Sequence, residues 1–166
     1  SALNMCGIAG FISRSKDPLD CLERMAKAIY HRGPDDHGVW FDRDCGVGFA
    51  HTRLSILDLS HAGHQPMESN SGRYMMVFNG EIYNHQTIRN ELNTTLVTNW
   101  RGHSDTETLL AGFDAWGVEG TLKKSTGMFA IAIWDKQTNV LTLTRDRVGE
   151  KPLYYGWQGD TFLFGS

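Results

Sequence analysis

The chain has 166 residues, 40% of them hydrophobic and 11% aromatic, and its 16 basic and 19 acidic side chains give a formal net charge of −3. This length sets one domain of ordinary size with enough apolar material for a core, which excludes intrinsic disorder. The near-neutral balance leaves no electrostatic footprint for nucleic acid or an anionic membrane, and apolar runs such as Met128–Trp134 are far shorter than the roughly 20 residues of a membrane helix. The opening residues lack a basic segment followed by an apolar one, and three scattered cysteines (Cys6, Cys21, Cys45) form no CxxC pair. Both features predict reduced thiols in a cytoplasmic protein without a zinc ribbon. His61 and His64 flank Ala62-Gly63 with no helical pattern around them, which favours loop hydrogen bonding over a metal site.

The predicted elements begin with a buried strand over Cys6–Ile12, an apolar run broken by Gly7 and Gly10. Asp17-Pro18 supplies a helix start, and Leu19, Leu22, Met25, Ala26, Ile29 and Tyr30 then fall at helical spacing up to His31. Arg32-Gly33-Pro34-Asp35 is turn chemistry leading into strands at Val39–Phe41 and Val47–His51. Tyr74–Phe78 reads as a strand that stops at Asn79-Gly80, a dipeptide suited to positive φ. Asn84 is placed to cap a short helix through Leu92. A second helix over Thr106–Trp116 carries Leu109, Leu110, Phe113 and Trp116 on one face and ends at Gly117. Met128–Asp135 and Val140–Arg145 form one hairpin about Lys136–Asn139. Leu153–Trp157 and Thr161–Phe164 form another about Gln158-Gly159-Asp160. Helices interleaved with antiparallel hairpins, without βαβ alternation, indicate an α+β layered fold.

Seven blocks stand in order along the chain: MCGIAG at 5–10, HRGPD at 31–35, HTRLSILDL at 51–59, FNGEIYNH at 78–85, SDTE at 104–107, GMFAIAIWD at 127–135 and RDRVGEKPLYYG at 145–156. Together they resemble the class II glutamine amidotransferase domain of the N-terminal-nucleophile (Ntn) hydrolases. HRGPD in place of YRGYD, and Leu54 where the sister branch has tryptophan, make the resemblance that of the asparagine synthetase branch. The resemblance implies a four-layer αββα sandwich with two antiparallel sheets. It also implies release of ammonia from L-glutamine through a cysteinyl thioester.

The site residues follow from the same resemblance. Cys6 is the expected nucleophile, with its own α-amine as base once residues 1–5 are gone; the competing reading is a small buried hydrophobe. Asn79 and Gly80 are expected to form the oxyanion hole, although Asn-Gly is also an ordinary turn. Arg53 is expected to grip the glutamine α-carboxylate as a bidentate fork, against a surface arginine or an ion pair with Asp58. Glu81 and Asp105 are expected to hold the α-ammonium, with helix capping a competing or parallel role for Asp105. Leu54, Ser55, Ile56 and Leu57 are expected to line the pocket with backbone groups.

Residues 1–5 read as a cloning remnant or propeptide, and 6–166 as the glutaminase domain of a longer protein. The ATP-dependent synthetase half, with its SGGxDS loop, has no counterpart here, so ATP and magnesium belong to that missing C-terminal domain. The glutaminase needs no metal or cofactor, and L-glutamine and the synthetase domain are its expected partners. The alternative is a catalytically idle module of the same fold that binds glutamine or a partner.

Overall fold

A computed structural model of the chain describes residues 6–14, 18–33, 35–53, 61–95 and 99–166. Its elements run β1 (Gly7–Ile12), α1 (Pro18–Ile29), β2 (Asp36–Asp42), β3 (Val47–Arg53), β4 (Met67–Glu68), β5 (Tyr74–Ile82), α2 (His85–Thr95), α3 (Asp105–Lys124), β6 (Gly127–Asp135), β7 (Val140–Arg145), β8 (Tyr154–Gln158) and β9 (Thr161–Gly165). The strands pair antiparallel in two sheets, ordered β2-β3-β1-β9-β8 and β4-β5-β6-β7.

Period-two alternation sorts the side chains into three apolar layers. Ile8 of β1, Val47 and Phe49 of β3, Met75 and Val77 of β5, and Ala130, Ala132 and Trp134 of β6 meet between the sheets. The intervening residues Ala9, Phe11 and Ala50 turn outward and pack under Leu22 and Ile29 of α1. On the far side, Met76, Phe78, Ile131 and Ile133 pack under Ile88 and Leu92 of α2 and Leu109, Leu110 and Phe113 of α3. The order is therefore helix, sheet, sheet, helix, the α+β sandwich expected from the sequence. Full burial of each large core side chain, such as Phe11 or Phe113, removes apolar surface worth about 1.5–3 kcal/mol.

Several local expectations are corrected. β5 does not stop at Asn79-Gly80 but runs through to Ile82, with Asn79 opposite Ala130 and Gly80 opposite Phe129. Gly80 has φ +149°, and a Cβ there would lie 2.0 Å from the Met128 carbonyl oxygen. The glycine thus admits the neighbouring strand rather than making a turn. Asn84 does not cap α2 with its side chain. Its Nδ2 donates to the Lys124 carbonyl and its Oδ1 accepts from the Thr126 amide, both at 2.8 Å, pinning the entry to β6. Gly117 does break the helix, at φ 76° and ψ 171°, but the chain resumes helical geometry to Lys124. Thr121 there donates back to the Gly117 carbonyl at 2.8 Å. The two-residue strand β4 carries no detectable period.

Candidate active site

The same alternation that fills the inter-sheet core places polar groups where that core opens at one end. Ile8 faces inward, so Cys6, two residues earlier, continues its face. On β3 the series Val47, Phe49 continues with His51 and Arg53; on β5 Met75, Val77 continues with Asn79. Cys6, His51, Arg53, Gly63, Gln65, Phe78, Gly80, Ser104, Asp105 and Thr106 line a cleft of about 160 Å³ at this end. A drug-sized ligand needs roughly 300–1,000 Å³, so this space suits a ligand of amino-acid size. Wider hollows between α1 and β2 and between α3 and β7 carry no cysteine.

The arginine wall is built on backbone. The Arg53 carbonyl accepts the Asp35 amide at 3.1 Å, which seats the HRGPD turn beside the end of β3. A Cβ on Gly63 would lie 3.2 Å from both terminal guanidinium nitrogens of Arg53, so glycine leaves the fork its space. His64 Nδ1 lies 2.8 Å from an Asp36 oxygen. Burial tends to raise the Asp36 carboxyl, but this hydrogen bond and the nearby charges of His64 and Arg53 hold it below the usual value.

The acidic wall is the start of α3. Ser104 is the N-cap, its hydroxyl accepting from the Glu107 amide at 3.2 Å, so Asp105 does not fill the capping position. Its Oδ2 accepts from Ile82 of β5 and its Oδ1 from Thr106, both at 3.0 Å. Burial raises the Asp105 carboxyl above its ordinary value despite those two amides and the nearby His85. Behind it, Arg89 donates to the Gly102 and Ser104 carbonyls at 2.7 and 3.1 Å, while Glu107 accepts the Arg101 and Gly102 amides at 2.6 and 3.0 Å. This buried pair fixes the loop leading into Asp105.

Asn79 is 2% exposed and its Nδ2 has no hydrogen-bond partner among the described residues, an uncommon state for a buried donor. His51 is equally buried, and burial pushes its pKa down to about 4, so its ring is neutral. It hydrogen-bonds the Phe78 backbone, and Nε2 is without a partner among the described residues.

The structure thus brings Cys6, Arg53, Gly80 and Asp105 to one cleft, with Asn79 buried on the inner face of the strand that supplies Gly80. Glu81 is exposed and does not line the cleft. Leu54, Ser55, Ile56 and Leu57 lie outside the described residues. His51, Gln65 and Thr106 were not among the expected site residues. The alternation of β3 was a signal for His51, whereas Gln65 sits in an aperiodic stretch that offered none. A thiol, a guanidinium and a carboxylate around one small space can hold a zwitterionic amino acid against a nucleophile, with the Asn79 amide buried between Phe78 and Gly80, which line it. Among the described residues, no three His, Cys, Asp or Glu side chains are grouped to hold a metal ion, and no helix is long and apolar enough to cross a membrane.

The profile of the glutamine amidotransferase domain family matches residues 5–166. A putative glutamine-hydrolysing asparagine synthetase 2 of Methanocaldococcus jannaschii is 37% identical, over 98% of this chain and 34% of its own length. Glutamine-hydrolysing asparagine synthetase 3 of Bacillus subtilis is 38% identical, over 98% of this chain and 26% of its own length. The amidase chry2 of Gibberella zeae is 37% identical, over 91% of this chain and 24% of its own length. The chain thus spans about a quarter to a third of these relatives' lengths. In three dimensions, a glutamine phosphoribosylpyrophosphate amidotransferase of B. subtilis, solved with ADP and GMP, superposes with a TM-score of 0.79 at 17% identity, covering 96% of this chain and 41% of that one.

Proposed function

The chain belongs to the glutamine amidotransferase domain family, and from that premise we propose that it releases ammonia from L-glutamine at Cys6 through a cysteinyl thioester. The convergence of Cys6, Arg53, Gly80 and Asp105 on one cleft carries this reading. Arg53 receives the α-carboxylate as a fork and Asp105 the α-ammonium, whose charge compensates the carboxylate that burial disfavours. The Cys6 α-amine takes the thiol proton as sulfur attacks the side-chain amide carbon. Its ordinary pKa of about 7.7–8.0 suits it to return that proton to departing ammonia. The orphan Nδ2 of Asn79 and the backbone N–H of Gly80 receive the oxyanion. Water then attacks the thioester, freeing glutamate and the thiol. No metal or nucleotide takes part in this cycle.

Two consequences follow. Cys6 must be the first residue of the active form, because an acylated α-nitrogen has no basic lone pair. The ammonia serves an acceptor activated elsewhere in a longer protein, by an ATP- and magnesium-dependent synthetase domain, with aspartate the default acceptor. The test is covalent labelling of the form beginning at Cys6 with a glutamine-mimicking electrophile, followed by peptide mass mapping. The adduct is expected on Cys6 and absent from Cys6→Ala; labelling at Cys21 or Cys45 instead would overturn the reading.

A further inference from the structure

We propose that Gln65, seconded by His51, is the positioning residue that sets the oxyanion strand, a role resting on the glutaminase reading above. β4 reaches only as far as Met76 along the edge of β5, so among the described residues Phe78 has no strand partner on that side. Its two backbone groups are met there by side chains instead. The Phe78 amide donates to Gln65 Oε1 at 2.6 Å, and His51 hydrogen-bonds the same residue's backbone. Gln65 is 6% exposed, and its Nε2 reaches Thr106 Oγ1 at 3.5 Å. One side chain therefore spans from the strand that bears Asn79 and Gly80 to the helix start that bears Asp105. Its own backbone is seated as tightly, since a Cβ on Gly38 of β2 would fall 2.0 Å from the Gln65 carbonyl oxygen. A burned-in polar bridge of this kind, between a free strand edge and the cleft it borders, does more than satisfy hydrogen bonds: it fixes where the next two residues point. His51 adds the second tether without charge, because its ring stays neutral above about pH 4.

The test separates transition-state geometry from substrate binding. The glutamine analogue whose side-chain amide is replaced by an aldehyde adds the Cys6 thiol across its carbonyl. The S–C bond replaces the carbonyl π bond, the sulfur proton goes to the α-amine, and the new oxyanion sits where the tetrahedral intermediate's would. In the form beginning at Cys6, Gln65→Met is expected to weaken this inhibitor and lower kcat by a similar factor of about 10–100, the scale of an ångström's misplacement, while KM for glutamine changes little. Unchanged aldehyde affinity, or equal losses in aldehyde affinity and KM, would overturn the brace. A wild-type form that neither binds the aldehyde nor hydrolyses glutamine would overturn the catalytic reading beneath it. Hydrogen exchange on the unaltered 166-residue chain decides the matter even if Gln65→Met fails to fold. The Phe78 amide is expected to be protected like a paired strand amide, and exchange at the rate of an exposed one would contradict the bridge.

Discussion

Asp105 Oδ2 accepts the Ile82 amide hydrogen at 3.0 Å, tying the first carboxylate of α3 to the strand that carries Asn79 and Gly80. The residue proposed to hold the substrate's ammonium is thereby locked to the strand proposed to stabilise the oxyanion. Because burial raises the Asp105 carboxyl, a bound ammonium should draw it back to the ionised form. Glutamine affinity should therefore fall on acidification, beginning at a higher pH than an ordinary carboxylate would set. Asp105→Asn should flatten that dependence and weaken binding by about 10–100-fold, the scale of one charged hydrogen bond. Calorimetry of glutamine binding against pH, on the form beginning at Cys6, checks both; a variant with the same pH profile as the parent would remove Asp105 from the binding site.

Arg53→Ala should cost on the order of 2–3 kcal/mol of glutamine binding, and Arg53→Lys should recover only part of it because an ammonium lacks the fork. Gly63→Ala offers a gentler probe. Its methyl would sit 3.2 Å from the guanidinium nitrogens, forcing them to give by a few tenths of an ångström. A modest rise in KM at nearly constant kcat is expected, and a change in kcat alone would place Arg53 elsewhere in the cycle.

Asn79 and Gly80, adjacent in the chain, should fail in different ways. Gly80→Ala forces a side chain into φ +149° and against the Met128 carbonyl, so a loss of about 2–4 kcal/mol of stability is expected. Asn79→Ala removes a donor that makes no hydrogen bond among the described residues, and kcat should drop by about 10²–10³ with the fold intact. Denaturant unfolding beside turnover distinguishes the two.

The layered architecture was legible because its causes are local. Alternating apolar residues and polar turns mark the β6–β7 and β8–β9 hairpins, and the apolar face of α3 is plain in Leu109, Leu110 and Phe113. What escaped depends on partners distant in the chain. Asn79-Gly80 looks like a turn until β6, some 50 residues on, is found paired against it. Asp105 looks like a helix cap from its place at the start of the apolar pattern, but its carboxylate turns to β5 and leaves the cap to Ser104. The gathering of Cys6, Arg53, Gly80 and Asp105 was expected from family resemblance rather than from periodicity. Gln65 was invisible because its role rests on two contacts, to Phe78 and Thr106, that no spacing encodes.

His51 makes the stability of the domain sensitive to acid. Unfolded, it takes up a proton near its ordinary pKa of 6.5; folded, burial keeps it neutral down to about pH 4. Between those values the unfolded state binds more protons, so stability falls as pH drops, by up to about 3 kcal/mol once both are crossed. His51→Gln should lose this component. Unfolding midpoints at pH 7 and pH 4.5 should therefore differ less in the variant than in the parent, and equal differences would contradict a buried neutral ring.

Whether the Cys6 α-amine is the base is decided by ammonia release from two forms of the chain. One form keeps residues 1–5, verified intact by mass spectrometry after the assay; the other begins at Cys6. The extended form should be slower by at least about 10²–10⁴-fold, the usual worth of general-base help, with its fold unchanged. Equal rates from the two forms would eliminate the α-amine and move the search to His51, whose unpartnered Nε2 belongs to a ring lining the same cleft, ahead of the exposed His103.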